Sequence, residues 1–233
     1  MWWMPVDRSV PAELQTNIGS MQSPESWSAG GRTLAVTQMD DPQSGFDIYT
    51  LLLDGDRKPR VLLRTKFSEG SPKFSPNGGW LAYSTNESGQ PEVWAMAYPT
   101  GERIHISTNG GTDPLWRRDG RQLFYRLGDY MMAVDISYGP SLMASRPRVL
   151  WRGNYLAGAG SSCGMAGPTS ANYDVTPDGE RFLMIEDASD VAESQRLRVV
   201  SNWTVELENP RLINLQSSRN RWNRFDGGRV AEP

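Results

Sequence analysis

The feature that most limits how this chain can fold is a segment that recurs four times. Pro24–Val36, Pro72–Tyr83, Pro114–Tyr125 and Tyr173–Met184 share one order of parts: a short apolar strand, a Pro/Asn/Asp/Gly turn, then a hydrophobic strand. The turn has a physical cause, because Pro pre-sets φ for a first turn position while Asn-Gly or Asp-Gly supplies the positive φ that reverses the chain. Counted between Trp27, Phe74, Trp116 and Val175, the spacings are 47, 42 and 59 residues. The first two match the roughly 40–50 residues of a four-stranded propeller blade. The third reads as a blade with an insertion, placed in the Gly/Ser/Ala-rich stretch from Leu156 to Ala171.

Each unit continues into a third strand, at Phe46–Leu51, Glu92–Ala97, Tyr130–Asp135 and Leu197–Val200. Three of them add a fourth, at Arg60–Leu63, Arg103–Ile106 and Arg148–Trp151. Helical periodicity is confined to a short stretch, Trp203–Leu207, behind a capping Asn202. The fold class is therefore all-β: a β-propeller of four-stranded antiparallel blades, about three of them complete, with partial first and last blades. Met1–Val6 and Glu13–Thr16 read as the third and fourth strands of a half-blade. Two arrangements fit: an open arc whose further blades lie upstream of this chain, or a short closed ring in which the half-blade completes the last unit. Residues 1–208 form the propeller region, and 209–233, with Arg211, Arg219, Arg221, Arg224 and Arg229 among polar residues, read as a flexible tail.

Composition removes several function classes. The net charge of −3 gives no electrostatic case for nucleic acid or an anionic membrane. A single cysteine, Cys163, allows neither an internal disulfide nor a thiol metal site. No apolar run approaches the roughly 18–20 residues of a membrane span, and Met1–Pro5 lacks the basic start and apolar core of a signal peptide.

The strings SPKFSPNGGWLAYSTNESGQPEVWAMAYPTG (71–101), GGTDPLWRRDGRQLFYR (110–126), GDYMMAVDI (128–136), NYDVTPDGERFLMI (172–185) and VVSNWTVELE (199–208) resemble the C-terminal part of TolB-like, WD-repeat-related propellers. Such propellers are often joined to bacterial serine/threonine protein kinases. The resemblance implies an extracytoplasmic sensing or binding module with a protein partner or a small ligand, and no cofactor. Neither a kinase domain nor a membrane span is present in this chain, which holds no Gly-rich phosphate loop, no His-Arg-Asp and no Asp-Phe-Gly. The chain departs from the family's turn at Ser28-Ala29-Gly30-Gly31, where Pro-Asp is missing. Alternatives are the gating propeller of a prolyl-oligopeptidase-like peptidase whose catalytic domain is absent, and a periplasmic scaffold.

No catalytic constellation assembles from the sequence. Gly160-Ser161-Ser162-Cys163-Gly164 matches the nucleophile elbow of serine hydrolases, but its flanks are Gly, Ala and Ser, and the one histidine, His105, lies upstream in a strand. His105 alternates with Ile104 and Ile106 and so points away from them, as a surface or inter-blade residue. Asp119 and Asp178 share the repeat position of Asn77, which assigns them to turn chemistry rather than metal binding. Trp80, Trp94, Trp116, Phe124 and Tyr125 recur at strand positions and are expected between blades. Partners engage propellers at the channel mouth or at loops on one face. Lys73, Arg117, Arg118 and the inserted loop, with Gly158, Ser161 and Ser162, are accordingly the expected partner-binding residues.

Overall fold

Alternating apolar residues buried on both sides of a sheet need sheets stacked face to face, and that is how the repeats pack. The computed structural model describes residues 1–4, 6–7, 9–15, 21–41, 45–54, 57–156, 171–185 and 197–201. A leading sheet pairs β1 (Trp2–Trp3) with β2 (Glu13–Leu14). The first blade is β3 (Met21–Trp27), β4 (Thr33–Asp41), β5 (Gly45–Leu52) and β6 (Pro59–Leu63), in that order across the sheet. The second is β7 (Glu69–Phe74), β8 (Trp80–Thr85), β9 (Glu92–Ala97) and β10 (Arg103–His105). The third has β11 (Thr112–Trp116), β12 (Gln122–Leu127) and β13 (Tyr130–Tyr138), with β14 (Leu142–Ala144) and β15 (Arg148–Arg152) both on β13. The last sheet is β16 (Asp174–Val175), β17 (Arg181–Ile185) and β18 (Leu197–Ser201).

Every pairing is antiparallel, and no helix occurs among the described residues. The sheets form an open arc of propeller blades; among the described residues no strand pairs the leading sheet with the last one. Among the described residues the leading sheet has two strands and the last has three, as the repeat predicts. The sequence reading misses β14. Strand β13 runs on past Asp135 to Tyr138, turns at Gly139-Pro140, and folds back so that Leu142 joins Ile136 in the core. The expected helix at 203–207 and the tail at 209–233 lie outside the described residues.

Three apolar clusters hold the blades together. Leu81 and Tyr83 of β8 pack with Ala35 and Ile48 of the first blade, while Ala82 of the same strand packs with Trp116, Leu123 and Tyr125 of the third. Phe124 of β12 meets Phe182 and Met184 of the last sheet. Strand alternation thus sends successive residues to opposite junctions. Two-sided burial is also why β8 and β12 read as nearly continuous apolar runs. Trp80, Trp94, Trp116, Phe124 and Tyr125 all pack at these junctions, as their repeat positions predict.

The turns after each first strand keep one geometry. In the second blade the Ser75 N–H donates to Trp80 O at 2.8 Å, Gly78 N–H to Ser75 O at 2.8 Å, and Gly79 N–H to the Asn77 side chain at 3.0 Å. Asp119 and Asp178 accept the equivalent N–H groups of Arg121 and Glu180, at 2.9 and 3.0 Å, and so fill the turn role assigned to them. The turn at Ser28 survives without Pro-Asp because the Ser28 hydroxyl accepts the Thr33 N–H at 3.1 Å and Gly31 takes φ +64°. Gly78, Gly120 and Gly179 have φ of +73°, +72° and +76°. A Cβ on Gly78 would lie 3.3 Å from Ala29 of the preceding turn. Gly78→Ala is therefore expected to cost about 1–2 kcal/mol from left-handed strain and crowding, read as a fall in urea midpoint with an unchanged m-value.

Candidate binding surface

The first strands β3, β7, β11 and β16 run side by side and are tied across each blade junction by side chains. The Ser26 hydroxyl donates to Pro72 O at 2.9 Å and accepts the Phe74 N–H at 3.0 Å. The Trp116 indole N–H reaches Lys73 O at 2.9 Å, and the Tyr173 hydroxyl reaches Asp113 O at 2.7 Å. Each link gives a buried carbonyl its partner and fixes one blade to the next. Ser71 and Asp113 occupy one repeat position, each buried, each before a proline, with φ of +51° and +55°. They sit inside β-bulges of β7 and β11, where the extra residue breaks the ladder and increases twist.

The turns that follow these strands abut in sequence. Gly78 faces Ala29, a Cβ on Gly120 would lie 3.7 Å from Pro76, and one on Gly179 would meet the Arg117 side chain at 2.8 Å. They make one continuous arc. Arg117 lies half-buried in it, its Nε 3.5 Å from Asp119 and its Nη1 3.4 Å from the Gln122 side chain. Arg118 and Arg121 of the third blade and Arg181 of the last sheet are exposed, and among the described residues none of them lies within ion-pair distance of a carboxylate. The acids beside them are occupied: Asp119 and Asp178 accept turn N–H groups, and burial being negligible, the Thr176 hydroxyl and Glu180 N–H hold the Asp178 carboxyl below its ordinary range. The arc thus presents three exposed guanidiniums that make no ion pair among the described residues.

The expected partner-binding residues are placed as follows. Arg117 and Arg118 stand together on the arc. Lys73 sits on β7 one blade earlier, its ammonium 3.0 Å from Glu25 O and 3.1 Å from the Glu25 carboxylate, with both side chains largely buried, so that it braces the first and second blades. Gly158, Ser161 and Ser162, with the rest of the Gly160–Gly164 motif, lie outside the described residues. Arg121 and Arg181 were not singled out by the sequence reading, although their repeat positions, one and two residues after the turn glycine, give the signal. His105 does point away from Ile104 and Ile106; it is half-exposed and stacks on Trp94 with ring centroids 4.5 Å apart.

At the other end of the strands, acids anchor the loops that join blades. Asp47 at β5 accepts Arg64 Nε at 2.9 Å, Glu92 at β9 accepts Ser107 and Gly110, and Asp129 before β13 accepts Arg152 at 3.2 Å. Glu69 differs. It is buried, one carboxylate oxygen takes the Thr65 hydroxyl, and the other has no partner. Burial raises its pKa, and the Thr65 hydrogen bonds only partly oppose this. A raised folded pKa means that Glu69 favours folding below the ordinary carboxyl range and loses that contribution as pH climbs through the folded value. Glu69→Gln should therefore raise stability by about 1–2 kcal/mol near pH 8 and leave it little changed near pH 4, measured by urea unfolding.

With this geometry the chain aligns with solved propellers. TolB from Acinetobacter baumannii matches with TM-score 0.58 at 15% identity, over 86% of this chain and 46% of that one. The fold is that of a TolB-like β-propeller. A TolB-like protein from Agrobacterium tumefaciens aligns with this propeller at TM-score 0.50 and 19% identity, over 74% of this chain and 60% of that one. Puromycin hydrolase, as its S511A mutant, aligns at TM-score 0.55 and 15% identity, over 86% of this chain and 31% of that one. In sequence, the uncharacterized protein Atu1656 of Agrobacterium fabrum is 25% identical over 116 residues, 49% of this chain and 38% of that protein. No family model matches the chain. The propeller thus spans about half the length, or less, of most of the proteins it resembles. Among the described residues, no helix is long and apolar enough to cross a membrane, and no three His, Cys, Asp or Glu side chains form a metal-binding group.

Proposed function

We propose that this chain is a non-catalytic binding propeller that captures an acidic protein partner on its arc of turns, through Arg117, Arg118, Arg121 and Arg181. The observation that carries the reading is the set of exposed guanidiniums at Arg118, Arg121 and Arg181, without an ion pair among the described residues, on a backbone held in place by turn and inter-blade hydrogen bonds. The planar guanidinium fork matches carboxylate or phosphate geometry, so less rotamer freedom is lost per hydrogen bond formed than with Lys. Lys73 and the inserted loop at Gly158, Ser161 and Ser162 complete the partner-binding set, Lys73 by fixing the strand beneath. In the wider reading the propeller is the sensor part of a kinase-linked bacterial signalling protein, outside the cytoplasm; the motif resemblance supports this.

Retention on immobilised poly-glutamate tests the reading. Replacing Arg118, Arg121 and Arg181 together by Ala should lower affinity about tenfold or more and flatten its salt dependence, with an unchanged melting temperature. Replacing Lys58 and Lys66, which lie off the arc, should change little. Equal losses from both sets would reduce the effect to general charge and end the proposal. A second reading, a propeller serving a peptidase, is favoured by the likeness to puromycin hydrolase. It requires a docked hydrolase domain and predicts no dependence on these arginines.

A further inference from the structure

Three of the four repeat turns open on a hydroxyl that caps the turn. Ser28, Ser75 and Thr176 each accept the backbone N–H five residues on, at 3.1, 2.9 and 3.1 Å. The third turn departs from this. Arg117 holds that position, and with no hydroxyl there Gln122 N–H lacks the acceptor that Thr33, Trp80 and Arg181 have. Giving up a local hydrogen bond that every other repeat keeps points to a role outside the turn. We propose that Arg117 is a shaped seat for one carboxylate of the partner, set between the third blade and the last sheet, and that Gly179 is the residue that positions it. The inference rests on the acidic-partner reading above and goes beyond it. It separates Arg117, which acts through its geometry, from Arg118, Arg121 and Arg181, which act through their charge.

The seat follows from how the turns abut. At the two earlier junctions the turn glycine of the next blade faces Ala29 or Pro76, both short side chains. At the third junction it faces Arg117. A Cβ on Gly179 would stand 2.8 Å from Arg117 Nε, 2.9 Å from its Cδ and 3.2 Å from its Cγ, so the side chain lies directly on the glycine. Covered in this way, Nε is buried and has no hydrogen-bond partner among the described residues; Asp119 stands 3.5 Å from it, an ion pair without a hydrogen bond. Nη1 makes one long contact, 3.4 Å, with the Gln122 side chain, and Nη2 makes none among the described residues. The side chain nevertheless remains 29% exposed. A guanidinium held by its stem, with its outer nitrogens scarcely engaged, offers the planar edge that matches a carboxylate.

Retention on immobilised poly-glutamate, with melting temperature measured alongside, tests the assignment. Arg117→Ser supplies a hydroxyl of the kind the other turns have, so its melting temperature should stay within a few degrees of the parent while affinity falls about fivefold or more. Arg117→Lys keeps the stem and the charge, and puts a methylene where the bondless Nε stands. Its stability should be unchanged, and affinity should fall about threefold or more because the planar fork is gone. Gly179→Ala and Gly120→Ala carry the same left-handed strain, with φ of +76° and +72°, and should lower the melting temperature alike. Only Gly179→Ala displaces Arg117, so it alone should also lower affinity. Full retention of Arg117→Ser or Arg117→Lys overturns the proposal. So does a large fall in the melting temperature of both, which would make Arg117 a structural brace. Equal losses of affinity in the two glycine variants would remove the positioning role of Gly179. If the triple variant of Arg118, Arg121 and Arg181 loses affinity while the Arg117 variants keep it, this inference alone falls; if the triple variant also binds fully, the acidic-partner reading falls with it.

Discussion

Phe182→Ala should cost about 3–5 kcal/mol and release the last sheet from the third blade. Phe182 is fully buried and stands at the centre of an aromatic group, with ring centroids 4.9 Å from Phe124, 4.7 Å from Trp151 and 6.4 Å from Tyr173. The first two contacts are edge-to-face, the arrangement that ring quadrupoles favour, so truncation forfeits this preference as well as apolar area. Among the described residues the sheet is otherwise attached through Met184, Tyr173 and Val175, through the hydrogen bond from Tyr173 to Asp113 O, and through Leu156 N–H to Ile185 O. Blades contact only their neighbours, so the loss should stay local: amide exchange should speed up in β17 and β12 and remain slow in β4 and β8. Leu183→Ala, on the opposite face of the same strand, serves as the control and should cost well under about 1 kcal/mol. Equal effects from the two would mean that the sheet does not pack through its Phe182 side.

The repeat made the blade number, the strand order and the packing role of most aromatics legible, because each depends on a pattern that a local turn and a period of two impose. Asp119 and Asp178 could be read as turn residues for the same reason: their partners lie two residues away. What stayed illegible depends on neighbours distant in sequence. Lys73 looks like a channel cation in the sequence, yet it is engaged by Glu25, 48 residues earlier, and nothing in either residue's surroundings announces the pair. Strand β14 was missed because Leu142–Ala144 is too short for a periodicity and forms only where β13 overruns its blade. The arginine arc was half visible. Arg117 and Arg118 stand out as a doublet, but Arg181 joins them only once the turn of the last sheet is laid against that of the third blade.

Glu92→Ala should cost about 3 kcal/mol and remove part of the acid sensitivity of the fold. The Glu92 carboxylate, at the start of β9, is buried and takes hydrogen bonds from the Ser107 hydroxyl, from Gly110 N–H at 2.8 Å and from the Gln90 amide at 3.0 Å. Ser107 in turn accepts the Val93 N–H at 2.8 Å, so one carboxylate organises the whole connection from β10 to β11. Hydrogen bonds to an ionised acceptor contribute about 1.5–3 kcal/mol each in favourable settings, and truncation leaves buried donors unmatched. Burial acts to raise the Glu92 pKa, but the bonds from Ser107, Gln90 and Gly110, with the His105 ring 3.4 Å away, prevail and hold it below its ordinary 4.5. A lowered folded pKa gives stability that is present above pH 4.5 and disappears as pH falls through the folded value. Relative to the parent, Glu92→Ala should therefore be most destabilised near pH 7, and the gap should narrow below about pH 4, as followed by urea unfolding across pH. Glu69 works with the opposite sign, so the double variant Glu92→Ala with Glu69→Gln should show the flattest profile of the set. A constant penalty for Glu92→Ala at every pH would mean that its charge contributes nothing and that the carboxylate acts only as a spacer for the loop.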